Sequence, residues 1–434
     1  MKSLLIITLG VLVGLTIQAQ EVLSLENAVS EALSKNHNIQ LVNKQKQVLD
    51  NTATIGNAGM LPKVDASAGV NMSNSQADLE FANGIPPIED ATSESTSLNA
   101  GISVSYNLFD GLGSFYTYQK LKEQSSLGGI QSRLTIESTL YQVMSIYYQG
   151  VNLQTQVRIA KESVGISKDR LKRVEASFEY GKSNSLDVLN AKVDLNNDSL
   201  NLLNLEHNLT VVKRNLNLLT QRGEDVSYSF REDFEVNQLL LLEDLQKLTT
   251  ENNVNILLAK SSISTAEIDK KIQQSFIMPR LIVSGNYGYN YSESNTGLIL
   301  NQNSLGLTGS VTFAWNLFDG GKKSTQLKNA QIMIESSQIE YDQALQTVKN
   351  DFNIARDNYL KESSLYKLSL SNEQVAASNL ERTKEMYYQG LISSVQFREA
   401  QLNYNRAQSQ LITSKINLKL SEIELNRLAG KLIS

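Results

Sequence analysis

Two stretches of the chain alternate strictly between apolar and polar residues. In the first, Val64, Ala66, Ala68, Val70 and Met72, and then Leu98, Ala100, Ile102, Val104, Tyr106 and Leu108, share one parity, against Asp65, Ser67, Asn71, Asn99, Ser103 and Ser105. In the second, Leu281, Val283, Gly285, Tyr287, Tyr289 and Tyr291 are answered on the return run by Leu305, Leu307, Val311, Phe313, Trp315 and Leu317. A period of two sustained over about ten residues predicts strands with one apolar face. Strands of a soluble sandwich usually run about five or six residues, whereas about ten, tilted, cross a bilayer, with aromatic residues near the ends. Asn74 to Ser97, which holds Pro86 and Pro87, and Glu293 to Asn303 read as external loops. Four strands cannot close a barrel, and an open edge cannot face hydrocarbon, because each unpaired backbone group there costs several kcal/mol. If the strands meet lipid, several chains contribute to one barrel; a soluble hairpin is the competing reading.

Outside these stretches the period lengthens to seven. Val188, Leu195, Leu202, Leu209 and Leu216 recur with Ala191, Leu205, Val212 and Leu219 three positions on. Phe397, Tyr404, Leu411, Leu418 and Leu425 do the same, with Ala400, Ala407, Ser414, Ser421 and Leu428. Five heptads in one register predict helices packed as in a coiled coil, and the small Ala and Ser positions imply close approach. Asp198 interrupts the first seam and is assigned no role. Upstream, about 112–180 and 322–389 contain no proline; at about 1.5 Å per residue either is a helix, or two stacked helices, on the order of 100 Å long. They stop at Gly181 and Gly390, where glycine supplies the left-handed turn and Ser185 or Ser394 is positioned to cap the next helix.

The chain is a duplication. Asn107-Leu108-Phe109-Asp110-Gly111 recurs as Asn316-Leu317-Phe318-Asp319-Gly320, and the same offset, roughly 209 positions, carries Gly181 onto Gly390. Asn36 and Asn38 map onto Asn253 and Asn255, and Leu61-Pro62 onto Met278-Pro279, at an offset about eight larger. The organisation expected is a signal peptide at 1–20; a first copy at 21–230 with a helix, a hairpin at 63–108, a long helix at 112–180 and a heptad helix at 185–221; and a second copy at 231–434 with a helix, a hairpin at 280–317, a long helix at 322–389 and a heptad helix at 394–429.

Composition narrows the chemistry. With no cysteine, disulfides, thiolate metal sites, cysteine nucleophiles and a lipid-bearing N-terminal cysteine are excluded. The two histidines, His37 and His207, are far apart, which argues against a histidine-built metal centre or triad. A net charge of −5 without basic runs argues against nucleic acid. Glu232 and Asp233 are adjacent in a polar linker without nucleophile or metal-ligand company, so no enzyme and no cofactor are expected. Met1 to Gln20 has Lys2, then an apolar core from Leu4 to Ile17 too short for a comfortable span, which is the layout of an export signal.

In this order and duplication the motifs resemble the TolC outer membrane efflux protein family of Gram-negative bacteria. The residues that carry the resemblance are the proline before each hairpin, the paired Asn-Leu-Phe-Asp-Gly, and the run Tyr180-Gly181-Lys182-Ser183-Asn184-Ser185-Leu186-Asp187-Val188-Leu189-Asn190-Ala191. It implies a mixed fold, an α-helical coiled-coil tunnel plus a transmembrane β-barrel, in which each chain gives four strands and long helices to a homotrimer with one 12-stranded barrel in outer membrane lipid. It further implies docking through the helical tips to a periplasmic adaptor, or membrane fusion, protein and an inner-membrane transporter, for efflux or type I secretion. The segment from about Arg222 to Asp244, with the tail after Ala429, falls near a belt around the tunnel.

The tip residues expected to meet an adaptor are Gly181, Lys182, Ser183, Asn184, Ser185, Gly390, Leu391, Ser393 and Ser394. The family constricts the tip end with carboxylates and salt bridges on the helix after the tip. Asp187 matches the expected acid, whereas its counterpart is Gln396, and Ile392 stands where an arginine partner is expected; Glu399, three residues on, offers a carboxylate. An exported coiled-coil spacer without transport activity is the alternative function, and it has no use for lipid-length hairpins.

Overall fold

The computed structural model describes residues 21–433 except 83, 225, 237–240, 297 and 298; the candidate export signal lies outside the described residues. The chain runs β1 (Val22–Leu23), α1 (Leu25–Lys35), α2 (His37–Thr52), β2 (Lys63–Leu79), β3 (Ile88–Phe109), α3 (Gly113–Glu179), α4 (Ser185–Thr220), β4 (Ser229–Phe230), α5 (Leu242–Asn252), α6 (Val254–Ser275), β5 (Arg280–Ser294), β6 (Asn301–Ala314), α7 (Lys322–Tyr388) and α8 (Ser394–Leu428). Among the described residues no helix is long and apolar enough to cross a membrane. Compactness cuts across the duplication. One unit takes residues up to Val42, Arg133–Asn253 and Thr347 onward, the other Asn43–Ser132 and Val254–Gln346, so each draws on both copies.

The second unit carries the sheet. Its strands pair antiparallel in the order β2-β3-β5-β6, leaving β2 and β6 as edges. Ala68 faces Ala100, Ala100 faces Tyr289 and Tyr289 faces Leu305, so one transverse row is apolar on all four strands. The rows of Val70, Leu98 and Tyr291 and of Ala66, Ile102, Tyr287 and Leu307 lie on the same face. The other face presents Ser67, Asn71, Ser103, Asn286, Ser284 and Ser310. From Val64 to Met72, at about 3.3 Å per residue, the apolar run is about 26 Å long, which at a barrel strand's tilt of about 35–45° stands about 20 Å tall, close to the roughly 25 Å lipid-facing belt.

The first expected external loop is mostly strand, and the second is strand at both its ends. β2 and β3 stay paired out to Leu79 and Ile88, leaving 80–87, and β5 and β6 pair as far as Glu293 and Asn301, leaving 295–300. Serine, threonine and asparagine on both faces hide the alternation there, while their backbones still complete the ladder; the extra length of the first copy is spent on a longer ribbon. In the other direction β6 stops at Ala314, short of Leu317. At the strand exits the repeated motif acts as a helix start. Asp110 Oδ2 accepts from the Ser114 N–H at 2.7 Å, and Asp319 Oδ2 from the Lys323 N–H at 3.1 Å. Gly111 sits at φ 70°, where a Cβ would lie 2.5 Å from the Ser275 carbonyl oxygen.

In the first unit the helix expected before each hairpin proves to be two, broken at Asn36 and Asn253. Asn36 Oδ1 accepts from the backbone N–H groups of Asn38 and Ile39, starting α2, while its Nδ2 donates to the Leu219 carbonyl at 2.8 Å. Asn253 Nδ2 donates likewise to Leu428, at 2.9 Å. Each asparagine therefore fastens a helix break to the unsatisfied C-terminal carbonyls of its own copy's heptad helix. Two apolar clusters lie beside these joints at equivalent places: Ala28, Val143 and Leu216 in one, Leu245, Phe352 and Leu425 in the other.

The first cluster is closed by a feature the sequence pattern misses, the two-residue parallel pairing of β1 with β4. Tyr147 Oη donates to the Leu23 carbonyl at 3.1 Å, and Gln154 Oε1 and Nε2 bond the Phe230 N–H and carbonyl at 2.7 and 2.9 Å. Gln154 also donates to Glu232 at 2.9 Å, so that carboxylate belongs to this joint. Burial pushes the Tyr147 and Tyr228 hydroxyls up to about 12, keeping both as neutral donors.

Candidate functional site

The two helical tips are built by one local device. After α3, the Gly181 N–H donates to the Phe178 carbonyl at 3.0 Å and the Lys182 N–H to Ser177 at 2.8 Å; after α7, Gly390 donates to Tyr387 at 3.1 Å and Leu391 to Met386 at 2.9 Å. These paired bonds define the Schellman stop, which requires a left-handed residue at the glycine, and Gly181 and Gly390 lie at φ 69° and 74°. The next helices start at Ser185 and Ser394, and the residue that caps each lies one position earlier than expected. Asn184, not Ser185, caps α4, and Ser393, not Ser394, caps α8. The residue with extended backbone just outside the first turn is the one whose side chain reaches the third helical N–H.

Capping also fixes two of the candidate gate residues. Asp187 and Gln396 are both third in their helices. The Asp187 N–H donates to Asn184 Oδ1 at 2.9 Å, and its carboxylate accepts from Ser183 Oγ at 2.9 Å. Gln396 Oε1 accepts from the Ser393 N–H at 2.9 Å, completing a capping box. Glu399 is exposed, as are Lys182, Asn184, Ser185, Leu391 and Ser393 at the turns. Behind the second tip, Tyr387 stacks on Phe397 with ring centres 4.8 Å apart, and Arg173 lies 4.3 Å from the centre of the Tyr388 ring.

Just beyond the tips, α3, α4 and α8 enclose a buried charge network. Arg398 grips Asp198 with both terminal nitrogens, Nη1 to Oδ2 and Nη2 to Oδ1, each 2.7 Å. Ser167 Oγ donates to Asp198 at 2.6 Å and Ser163 Oγ at 3.2 Å, while Arg170 pairs with Asp194. Gln401 Nε2 donates to Ser163 Oγ at 3.2 Å. Burial works against ionisation of Asp198, but the hydrogen bonds and charge of Arg398, with Ser167 and Ser163, hold its carboxyl below the usual value. The residue read from sequence as a mere interruption is thus the hub of three helices. Its signal was present as acids four apart on α4, Asp198 on the seam and Asp194 beside it, with an arginine beside the seam of α8.

Comparison with known proteins places this architecture. The sequence profile of the outer membrane efflux protein family matches residues 28–220 and again 245–431, once for each copy. The chain belongs to the outer membrane efflux protein family. The outer membrane protein TolC of Vibrio cholerae is 21% identical over 441 residues, covering 100% of this chain and 96% of that relative. Among solved structures, VceC of Vibrio cholerae superposes with a TM-score of 0.73 at 15% identity, covering 94% of this chain and 96% of that one. The CmeC outer membrane channel of Campylobacter jejuni gives 0.76 at 17%, covering 94% and 86%.

As an outer membrane efflux protein, the chain is an outer membrane channel for tripartite efflux, with its helices forming a periplasmic tunnel. The family is a channel class rather than an enzyme class, and its channels are trimeric and work with an adaptor and an inner-membrane pump. The 12-stranded barrel of the family accounts for the two open sheet edges, since three four-stranded sheets close such a barrel edge to edge.

Proposed function

We propose that three copies of this chain form a passive conduit that receives cargo from a periplasmic adaptor and an energised inner-membrane pump and releases it outside the cell. The observation that carries this reading is the four-stranded sheet, apolar on one face over the height of a bilayer belt and open at both edges. Its polar face of serine, asparagine and threonine suits a wet, weakly selective lumen, so cargo choice falls to the pump. The tips, Gly181 to Ser185 and Gly390 to Ser394, contact the adaptor: the Schellman stops and caps hold them in fixed shapes on rigid helices, with Lys182, Asn184, Leu391 and Ser393 outward.

The gate belongs to Glu399. Asp187 and Gln396 are engaged in capping, whereas Glu399 is exposed, and three copies around the trimer axis form an acidic ring favouring cations. Planar-bilayer recordings of the parent, Glu399→Gln and Asp187→Asn proteins test this. Glu399→Gln is expected to lower cation preference several-fold with Asp187→Asn nearer the parent; unchanged selectivity in Glu399→Gln overturns the gate, and absence of conductance in the parent overturns the channel.

A further inference from the structure

Across the bilayer belt the polar face of the sheet is uncharged except at its inner end. Its outermost row joins Asn71 to Ser97, Ser292 and Gln302, and the next row inward joins Gly69 to Asn99, Asn290 and Ser304. The row below is nearly bare: Ser67 faces Gly101, Gly101 faces Gly288 and Gly288 faces Gly306. A Cβ on Gly101 would lie 3.2 Å from Asn286 Oδ1 and one on Gly288 3.1 Å from Asn286 Nδ2, so the asparagine amide lies along the wall beside both glycines.

Charge begins one row further in. Asp65 stands in the row of Ser103, Asn286 and Thr308, and Lys63 in the row of Ser105, Ser284 and Ser310. The two form an ion pair of 2.9 Å, with the lysine side chain 74% exposed and the aspartate 48%. Arg280, the first residue of β5, shares the face of Ser284 and Asn286 by alternation, and its guanidinium lies 5.4 Å from the centre of the Phe276 ring. No lysine or arginine occurs in 64–119 or in 281–321, so the bases of this sheet are confined to its inner end.

We infer that Lys63, Asp65 and Arg280 form a charged collar at the inner mouth of the barrel, which weights cargo by charge and favours anionic groups. This rests on the trimeric conduit proposed above and adds to it a point of selection in the barrel. Two bases against one acid leave each chain's share of the collar net positive. β6, the edge that closes on β2 of the next chain, has no charged residue from Asn301 to Ala314, so the neighbouring sheet does not neutralise it.

Fixed charges on a low-dielectric wall raise the local concentration of ions of opposite sign, and screening confines that field to about 10 Å at 0.1 M salt. The long side chain of Lys63 carries its charge out from the wall, whereas the glycine row just outside offers a solute almost no side chain to meet. A solute therefore meets the charges as it enters the barrel and an uncharged, smoother wall beyond them. The weighting is by charge alone, so the choice among chemical structures stays with the pump.

The absence of cysteine makes this field measurable. Ser67→Cys lies one row outside the collar, and its rates of modification in isolated outer membranes by an anionic and a cationic methanethiosulfonate of similar size report the local potential. Relative to Ser67→Cys alone, the anionic-to-cationic rate ratio is expected to fall several-fold with Lys63→Gln or Arg280→Gln and to rise several-fold with Asp65→Asn. Lys63→Gln and Asp65→Asn together restore the charge count and are expected to leave the ratio at the parent value. In about 1 M salt, where screening acts within about 3 Å, the differences are expected to vanish. Heat-resistant oligomer from the same membranes shows that each variant has assembled. If Ser67→Cys reacts but the ratio ignores the three charges, or the double variant moves it as far as Lys63→Gln alone, the collar is overturned while the conduit stands. If Ser67→Cys is inert and Val70→Cys on the apolar face reacts, the polar face is not the lumen and both readings fail.

Discussion

Asp198 and Arg398 form an ion pair whose cost and benefit depend on each other. Removing the carboxylate alone strands a buried guanidinium, so Asp198→Ala is expected to cost about 3–5 kcal/mol, whereas Asp198→Leu with Arg398→Met recovers most of the loss. The pair is also pH-linked. The folded carboxyl titrates below the unfolded value of about 4, so its contribution is complete above that value and is lost as pH falls through the lower folded one. Denaturant unfolding of the parent and Asp198→Asn proteins in detergent is therefore expected to differ at pH 7, with the gap narrowing as pH falls below about 4 and closing only below the lower folded value; a gap that does not narrow contradicts a stabilising Asp198 carboxylate. The identity of the network was not legible in the sequence because its members are 200 residues apart in the chain and Asp198 breaks an apolar pattern. The glycine stops were legible, since only a glycine-like φ closes that turn, but the caps fell one residue short of the expected serines, because which residue caps depends on where the backbone leaves the helix.

At the scale of elements, the strands follow from alternation alone as far as one face is apolar. Beyond Met72 both faces turn polar and the pattern goes silent, though β2 and β3 stay hydrogen-bonded. The broken helices were hidden for the opposite reason. Asn36 and Asn253 interrupt helical stretches without proline or glycine, and only the distant carbonyls of Leu219 and Leu428 give them a purpose. Sidedness of the sheet makes a sharp prediction. Leu305 lies in the central row of the apolar face and Ser304 on the other face of the same strand. Leu305→Arg places a charge near the bilayer midplane at about 2–4 kcal/mol per chain, so the yield of heat-resistant oligomer in outer membranes is expected to collapse, whereas Ser304→Arg assembles normally. Equal behaviour of the two would place the apolar face away from lipid.

For the whole molecule, family membership and the duplicated helix-hairpin-helix order were both readable from the chain, because each landmark occurs twice in the same sequence. Contacts between the landmarks were not readable, and the pairing order that leaves two free strand edges is among them. Four strands with both edges unpaired are a third of a barrel. The most direct measurement is native mass spectrometry of the protein extracted from outer membranes in mild detergent. A single species at three times the mass of the mature chain is predicted; a stable, folded monomer as the dominant membrane species would contradict it, since no four-stranded sheet with open edges persists in hydrocarbon.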